Sequence, residues 1–387
     1  MAACMQQAMA GVSPIQVGEA VTLHVAMPPH RGQPVPILPP CVAALRRDRR
    51  KARRGAMLDS RRPAGAWAPR AGSVHAQGIR MRRTFPPVSL IGVPTDIGAG
   101  HLGARLGPDA LRIAGLAQAL RSRGIEVEDR GNLAGPPNPV EPPMDGYRHL
   151  AGVVVWNEAL MQASLRELEA GRMPVVLGGD HSLAIGSIAA VAAHCRATGR
   201  RLRVLWLDAH ADFNTSQVTP SGNIHGMPVS CLCGIGPDVL TGIGGHVPAI
   251  TPAQITQVGI RSVDQEEKRM VKEHGLDIYD MRYIDEVGMK RTMEAALADL
   301  DDDTHLHVSF DVDVLDPSIA PGTGTRVPGG LNYREAQLVM EMIADTGRMG
   351  SLDVVEVSPA LDERNRTAEL AVDLVESLFG KSTLMRD

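Results

Sequence analysis

No apolar run in this chain reaches the ~18 residues that a membrane-spanning helix needs, so no such helix is expected. Cysteine is scarce as well. Cys4, Cys41, Cys195, Cys231 and Cys233 are odd in number, and no spacing among them suggests a zinc knuckle. Only Cys231 and Cys233, as Cys-x-Cys, have any capacity for metal. The set reads as small apolar residues of a reduced, cytoplasmic protein. Ahead of the Ala-rich start there is no apolar segment of the signal-peptide kind. Acidic residues are nearly missing from positions 1–80, which hold three Asp/Glu against twelve Lys/Arg, whereas the remainder holds forty-one against twenty-eight. The acidic body favours the approach of a cationic substrate over a phosphate-rich one, and no nucleic-acid or membrane partner is expected.

Residues 1–80 also lack helical and strand periodicity. They are rich in Ala, Arg and Pro, with a basic cluster at 46–54, and cannot bury enough apolar surface to offset their ordering entropy. A basic arm for nucleic acid or anionic surfaces is one reading, although interleaved aromatics and repeats are missing. An Arg-rich, acid-poor transit segment is a second. A disordered tail or an over-extended start is the favoured third, because Met81 leads through Arg82-Arg83-Thr84 into a strand pattern at Val88. The expected organisation is a disordered or non-native extension over 1–80 and one catalytic domain over 81–387.

What is present from Val88 onward is a repeating unit: a short apolar run, a polar or Gly-rich turn, then an amphipathic stretch. Strands are expected at 88–93, 173–177, 203–207, 255–260, 305–310 and 352–355. Helices are expected at 108–123, 147–170, 183–198, 265–274, 289–300, 333–346 and 367–378. The alternation implies an α/β fold, a three-layer α/β/α sandwich with a central, mostly parallel sheet covered on both faces. Ligands of such sheets bind beyond the carboxyl ends of the strands, and the unusual polar residues fall there. Gly178-Gly179-Asp180-His181 follows one strand, Asp208-Ala209-His210-Ala211-Asp212 another, Asp311-Val312-Asp313 a third and Glu356 a fourth.

Alternate side chains of extended backbone point the same way, so Asp208 and His210 share a direction, with Asp212 nearby, as do Asp311 and Asp313. With His181 they make four carboxylates and two imidazoles. Clustered acids raise one another's pKa unless cations neutralise them; two divalent ions balance four anions, and carboxylate–imidazole ligands suit manganese better than thiolate-seeking metals. Singly, an Asp-x-Asp or a Gly-Gly-Asp-His is usually a turn former. Asp-x-His-x-Asp says more, because burying two acids beside an imidazole without function is costly.

GGDHS at 178–182, DAHADFN at 208–214, SGNIHG at 221–226 and SFDVDVLDP at 309–317 resemble the ureohydrolase (arginase and agmatinase) superfamily. Further likeness runs from IGVPTDIGAGHLGARLGPDALR at 91–112 to LDERNRTAELAVDLVESLFG at 361–380, so it spans 88–380 and none of 1–80. The resemblance implies two Mn2+ per subunit, one held by His181, Asp208, Asp212 and Asp311, the other by Asp208, His210, Asp311 and Asp313. It implies a bridging hydroxide that attacks a guanidinium carbon, with Glu356, in LDVVEVSP at 352–359, holding the guanidinium. Asp212 is then the group that passes a proton to the leaving amine. His225 is a shuttle to solvent, its ordinary pKa of ~6.5 lying in the working range.

Asn214 and Ser221 resemble the carboxylate-binding loop of the arginine-hydrolysing members, and Asp264, in GIRSVD at 259–264, their α-ammonium partner. The implied reaction is hydrolysis of L-arginine to L-ornithine and urea. Rival readings are an amidine hydrolase acting on agmatine, guanidinobutyrate or formiminoglutamate, and a catalytically silent arginine sensor or scaffold on the same fold. The likeness to bacterial-type members further implies a homo-oligomer, a trimer or hexamer. A chain starting at Met81 is expected to match the full chain in urea production and in thermal midpoint; a truncated chain that fails to fold refutes this division.

Overall fold

The structure is a computed structural model that describes residues 85–139 and 142–384. The readings offered for 1–80 lie outside the described residues. Among those described, eight strands form one sheet: β1 (Val88–Gly92), β2 (Val127–Asn132), β3 (Met173–Leu177), β4 (Arg201–Leu207), β5 (Ile255–Ile260), β6 (Asp277–Asp280), β7 (Thr304–Asp311) and β8 (Met349–Val355). Their spatial order is β2-β1-β3-β8-β7-β4-β5-β6, and every neighbouring pair is parallel.

The six strands expected from sequence are the six interior ones. A parallel strand inside such a sheet is covered on both faces and reads as an unbroken apolar run. The two unexpected strands, β2 and β6, are the edges. β2 reads Val-Glu-Asp-Arg-Gly-Asn and exposes all but Val127, and β6 is only Asp-Ile-Tyr-Asp. Charged, short edges discourage pairing with other chains, and for the same reason they carry no apolar signal.

The helices are α1 (Gly107–Ile113), α2 (Leu116–Ser122), α3 (Leu150–Glu169), α4 (Ala184–Thr198), α5 (Pro228–Leu232), α6 (Asp238–Thr241), α7 (Gln265–His274), α8 (Met281–Val287), α9 (Met289–Ala296), α10 (Tyr333–Thr346) and α11 (Arg366–Leu378). Alternation along the strands sorts them into two layers. Leu205, Leu207, Leu306, Val308 and Phe310 pack with residues of α1, α2 and α8–α11 on one face. Val204, Trp206 and Val176 pack with residues of α3–α7 on the other.

α7 and α10 span the expected residues, each opened by a capping box, Asp264 with Glu267 and Asn332 with Glu335. The single helix expected at 108–123 is two, broken where Gly115 takes φ 86°. The helix expected at 147–170 begins at Leu150, after His149 at φ 55°. The short helices α5, α6 and α8 carry too few turns to show periodicity.

Strands β3, β8, β7 and β4 lie side by side in the middle of the sheet, and because they are parallel their carboxyl ends open on one rim. The turn after β3 is stitched to its neighbours: Gly178 N–H donates to Val354 O at 2.8 Å, Gly179 N–H to Val93 O at 3.2 Å, and Glu356 N–H to Gly179 O at 2.8 Å. A Cβ on Gly179 would stand 2.0 Å from Thr95 O and 2.9 Å from Val93 O, backbone atoms that cannot step aside. Gly179→Ala is therefore expected to destabilise the fold by roughly 1–3 kcal/mol, read as a lower urea-denaturation midpoint at unchanged slope.

Candidate metal centre

His181 opens a one-turn 3-10 helix after β3, capped by the Asp180 carboxylate, which accepts from Ser182 N–H. Its ring stacks on Trp206, with centroids 4.1 Å apart and planes 9° apart. Trp206 in turn donates its indole N–H to Asp208 Oδ2 at 2.8 Å. His181 Nε2 is 2.8 Å from Ser309 Oγ, so the ring is held from both its face and its far nitrogen. The near nitrogen, Nδ1, lies 3.0, 3.1 and 3.3 Å from carboxylate oxygens of Asp208, Asp311 and Asp212.

On the neighbouring side, His210 Nδ1 lies 2.9 Å from Asp313 Oδ2 and 3.5 Å from Asp208 Oδ1. Two ligand groups result, His181–Asp208–Asp311 and Asp208–His210–Asp313, with Asp208 in both. The expected direction-sharing of Asp311 and Asp313 holds for a different reason. Asp311 ends β7 and the chain then enters a 3-10 turn, so the pair converges through Asp313 N–H donating to Asp311 Oδ1 at 2.8 Å. Asp208 likewise accepts from His210 N–H at 2.7 Å. Asp212 and Glu356 hold positive φ, 50° and 60°. For a glutamate this left-handed backbone is uncommon and strained.

Electrostatics set these groups against one another. Burial and the charge of Asp208 push Asp212 well above the usual carboxylate range. Burial and Asp313 do the same to Asp311, and burial and Asp208 raise Asp313. Burial alone would lower the pKa of His181, but the acids around it, Asp208 first, lift it to about 9. His210, against Asp313 and Asp208, is pushed up to about 12 despite its burial. Protein groups alone thus leave the acids in conflict, and divalent cations resolve it. The donor set is oxygen and imidazole with no thiolate, which fits a hard or borderline cation. The buried Nδ1 of His181 makes no well-aligned hydrogen bond to any of its three carboxylate neighbours, as a nitrogen with its lone pair reserved for a cation would not.

Above these ligands lies a cavity of about 230 Å³. Its wall includes His225, Asn214, Ser221 and Asp264, so the structure brings the expected site residues together. Glu356 and Asp208 are buried and do not line it; Glu356 Oε1 accepts from His181 N–H at 2.9 Å and lies 3.0 Å from His225 Nδ1, two residues that do. Burial opposes the charge of Glu356, yet His225 holds its carboxyl below the usual range; the same contact raises His225 against the effect of burial. Asp264 Oδ2 accepts from Asn214 Nδ2 at 3.3 Å. Sequence reasoning missed Glu267, which lines the cavity and accepts from Phe213 N–H at 2.8 Å and Asp264 N–H at 3.1 Å. Its place three residues after Asp264, in a capping box, was the available signal. Also missed were Thr325, whose hydroxyl donates to Asp313 Oδ2 at 2.9 Å, Trp206 and Ser309. The last two stand two residues before Asp208 and Asp311, the spacing that puts them on the same strand face.

A parallel α/β/α sandwich carrying a carboxylate–imidazole site for a pair of divalent cations defines a class of metal-dependent hydrolases. The Arginase family model matches residues 86–380, and the chain belongs to that family. It is 46% identical over 301 residues to the arginase of Bacillus caldovelox, covering 77% of this chain and 99% of the relative. The native structure of that enzyme superposes with a TM-score of 0.73 at 44% identity, over 78% of this chain and 100% of the other. The arginase of Entamoeba histolytica, solved in complex with L-ornithine, gives 0.70 at 34% identity, over 77% and 100%. A hypothetical agmatinase from Burkholderia thailandensis lies further off, at 0.58 and 26%, over 77% and 86%.

Cation binding must displace protons from these groups. Asp212 and Asp311 sit above the usual range and His181 near 9, so protons compete throughout the window below about 9. Affinity for Mn2+ is expected to strengthen as pH rises towards that value and to weaken steadily into acid. Asp208→Ala, which removes a member of both groups, is expected to lower the metal content of the purified protein at every pH. Calorimetric titration and elemental analysis check both, and a pH-independent affinity contradicts the first.

Proposed function

We propose that this protein hydrolyses L-arginine to L-ornithine and urea with two Mn2+. The observation that carries the reading is the geometry of one cavity: His181, His210, Asp311 and Asp313, from two groups that share Asp208 and could hold cations, line it together with Asp264, Asn214 and Ser221. One ion would be held by His181, Asp208, Asp212 and Asp311, the other by Asp208, His210, Asp311 and Asp313. When bound, the pair lowers the pKa of water enough to make it a nucleophile at neutral pH and stabilises the charge that develops on attack.

The chain's own residues do the rest. Glu356 offers Oε2, which accepts no hydrogen bond among the described residues, to the substrate guanidinium, while Oε1 stays fixed by His181 N–H and His225. Guanidinium is planar and always charged, so a buried anion beside the reacting carbon both attracts and orients it. Asp212, whose carboxyl is pushed upward by burial and Asp208, is suited to hold a proton and pass it to the leaving amine. His225 lines the cavity and exchanges protons with solvent. At the far end, Asp264 receives the α-ammonium. Asn214 gives one amide N–H to Asp264 and keeps the other for the α-carboxylate, beside Ser221.

Agmatine lacks that carboxylate, and the agmatinase-like structure is the more distant neighbour; both favour arginine. A cytoplasmic homo-oligomer, a trimer or hexamer, is part of the same proposal and rests on the likeness of 361–380 to bacterial-type members. Among the described residues no helix is long and apolar enough to cross a membrane. Urea release from arginine is expected to exceed that from agmatine by orders of magnitude. Asp264→Ala removes a hydrogen bond to a charged group, worth roughly 1.5–3 kcal/mol, so KM for arginine should rise about ten- to hundredfold with metal content unchanged. Equal use of arginine and agmatine by the unaltered enzyme would sink the arginine assignment.

A further inference from the structure

A glycine is needed where the backbone takes a conformation other residues avoid, or where a neighbour stands too close for a Cβ; elsewhere it only adds to the entropy lost on folding. Among the described residues every glycine but two has one of these reasons. It holds a positive φ, or its Cβ would stand within 3.0 Å of another atom. The exceptions are Gly226 and Gly324, neither of which takes a left-handed conformation. A Cβ on Gly226 would meet one atom within 4 Å, Asn214 Nδ2 at 4.0 Å. A Cβ on Gly324 would meet two, His101 Cβ at 3.4 Å and Glu356 Oε2 at 4.0 Å. These are ordinary van der Waals distances, so the protein by itself has room for alanine at both positions.

The two spaces adjoin two polar atoms that keep capacity for a ligand. Glu356 commits Oε1 to His181 N–H and His225, and its Oε2 accepts no hydrogen bond among the described residues. Gly324 directly precedes Thr325, which lines the cavity and donates to Asp313. At the other end, Asn214 Nδ2 gives one N–H to Asp264 at 3.3 Å and keeps the second. Gly226 ends the one-turn 3-10 helix that carries His225, and it lines the cavity itself. Its carbonyl accepts from Asn214 N–H at 3.0 Å, so the backbones of 214 and 226 are fixed against each other. Each space has almost no protein neighbours and is therefore an open side of its polar atom. A ligand atom hydrogen-bonded there lies ~2.9 Å away, and the rest of the ligand would meet any methyl group placed in that space.

We propose that Gly226 and Gly324 are specificity-determining residues at the two ends of the substrate: Gly324 leaves room for the guanidinium on Glu356, and Gly226 leaves room for the α-carboxylate at Asn214. Neither takes part in the chemistry. What they supply is empty volume, held open although the fold would accept a side chain. The inference rests on the assignment of Glu356 and Asn214 to the guanidinium and carboxylate of arginine.

The test compares Gly226→Ala and Gly324→Ala in the full, Mn2+-loaded chain. Both should fold, with metal content unchanged and a thermal midpoint equal to or above that of the unaltered chain, because alanine restricts the unfolded state. One carbon of misfit in a pocket changes catalytic efficiency about ten- to two-hundredfold, so kcat/KM for arginine should fall at least about tenfold in each. L-Ornithine separates the two ends, since it has the amino-acid head and no guanidinium. Its binding, measured by calorimetry, should weaken in Gly226→Ala and stay unchanged in Gly324→Ala, a split that a general disturbance of the site does not produce. Full arginine turnover in either variant, failure of either to fold, or equal weakening of ornithine binding in both overturns the proposal. An unaltered chain that binds Mn2+ yet releases no urea from arginine overturns instead the reading on which it rests.

Discussion

Asp208, Asp212, Asp311 and Asp313 are four carboxylates within hydrogen-bonding reach of two imidazoles, all but removed from water, and their mutual repulsion is the constraint around which this fold is arranged. At an effective dielectric of ~20, two unit charges ~4 Å apart repel by about 4 kcal/mol. Several such pairs rival the ~5–15 kcal/mol by which a typical domain is stable. A structure can hold these acids together only if its framework is stiff and their charge is met. The framework is the middle of the sheet, four parallel strands covered by helices on both faces. The charge is met in part by His181 and His210, and divalent cations would meet the rest.

The surroundings of the acids follow from the same constraint. Three of the four carboxylates accept from fixed donors: Trp206 and His210 N–H on Asp208, Asp313 N–H on Asp311, Ala209 N–H and Thr325 on Asp313. Glu356 is pinned by His181 N–H and His225 while its backbone takes a left-handed conformation. Glu267 ties Asp264 to the Asp212–Asn214 segment through Phe213 N–H, so the groups assigned to the amino-acid end of the substrate are braced to those assigned to the reacting end.

Much of this was legible in the sequence, because interior parallel strands and strand-end ligands both leave strong local marks. All six interior strands read as apolar runs, and the ligand motifs announced themselves as acids and imidazoles directly after them. What was not legible depends on neighbours. The edges β2 and β6 are half solvated and so carry no apolar run. Gly115 breaks a helix through its backbone conformation, which an otherwise continuous helical pattern hides. Asp311 and Asp313 converge by a turn that spacing alone mistook for extended chain. Ser309, Thr325 and Glu267 belong to the site only because the fold brings them to residues on other elements.

The place of β8 has a consequence for how the protein is made. This strand runs from residue 349 to 355, yet it lies between β3 and β7 in the centre of the sheet. During synthesis from the amino terminus, β1–β3 and β4–β7 emerge first, and no strand yet links the two groups. Two incomplete half-sheets must wait with unsatisfied inner edges until the keystone strand leaves the ribosome. Such long-range pairing is slow and exposes strand edges to aggregation. The nascent chain is at its most vulnerable just before β8 emerges, and that is the stage at which a chaperone that shields open strand edges would matter most.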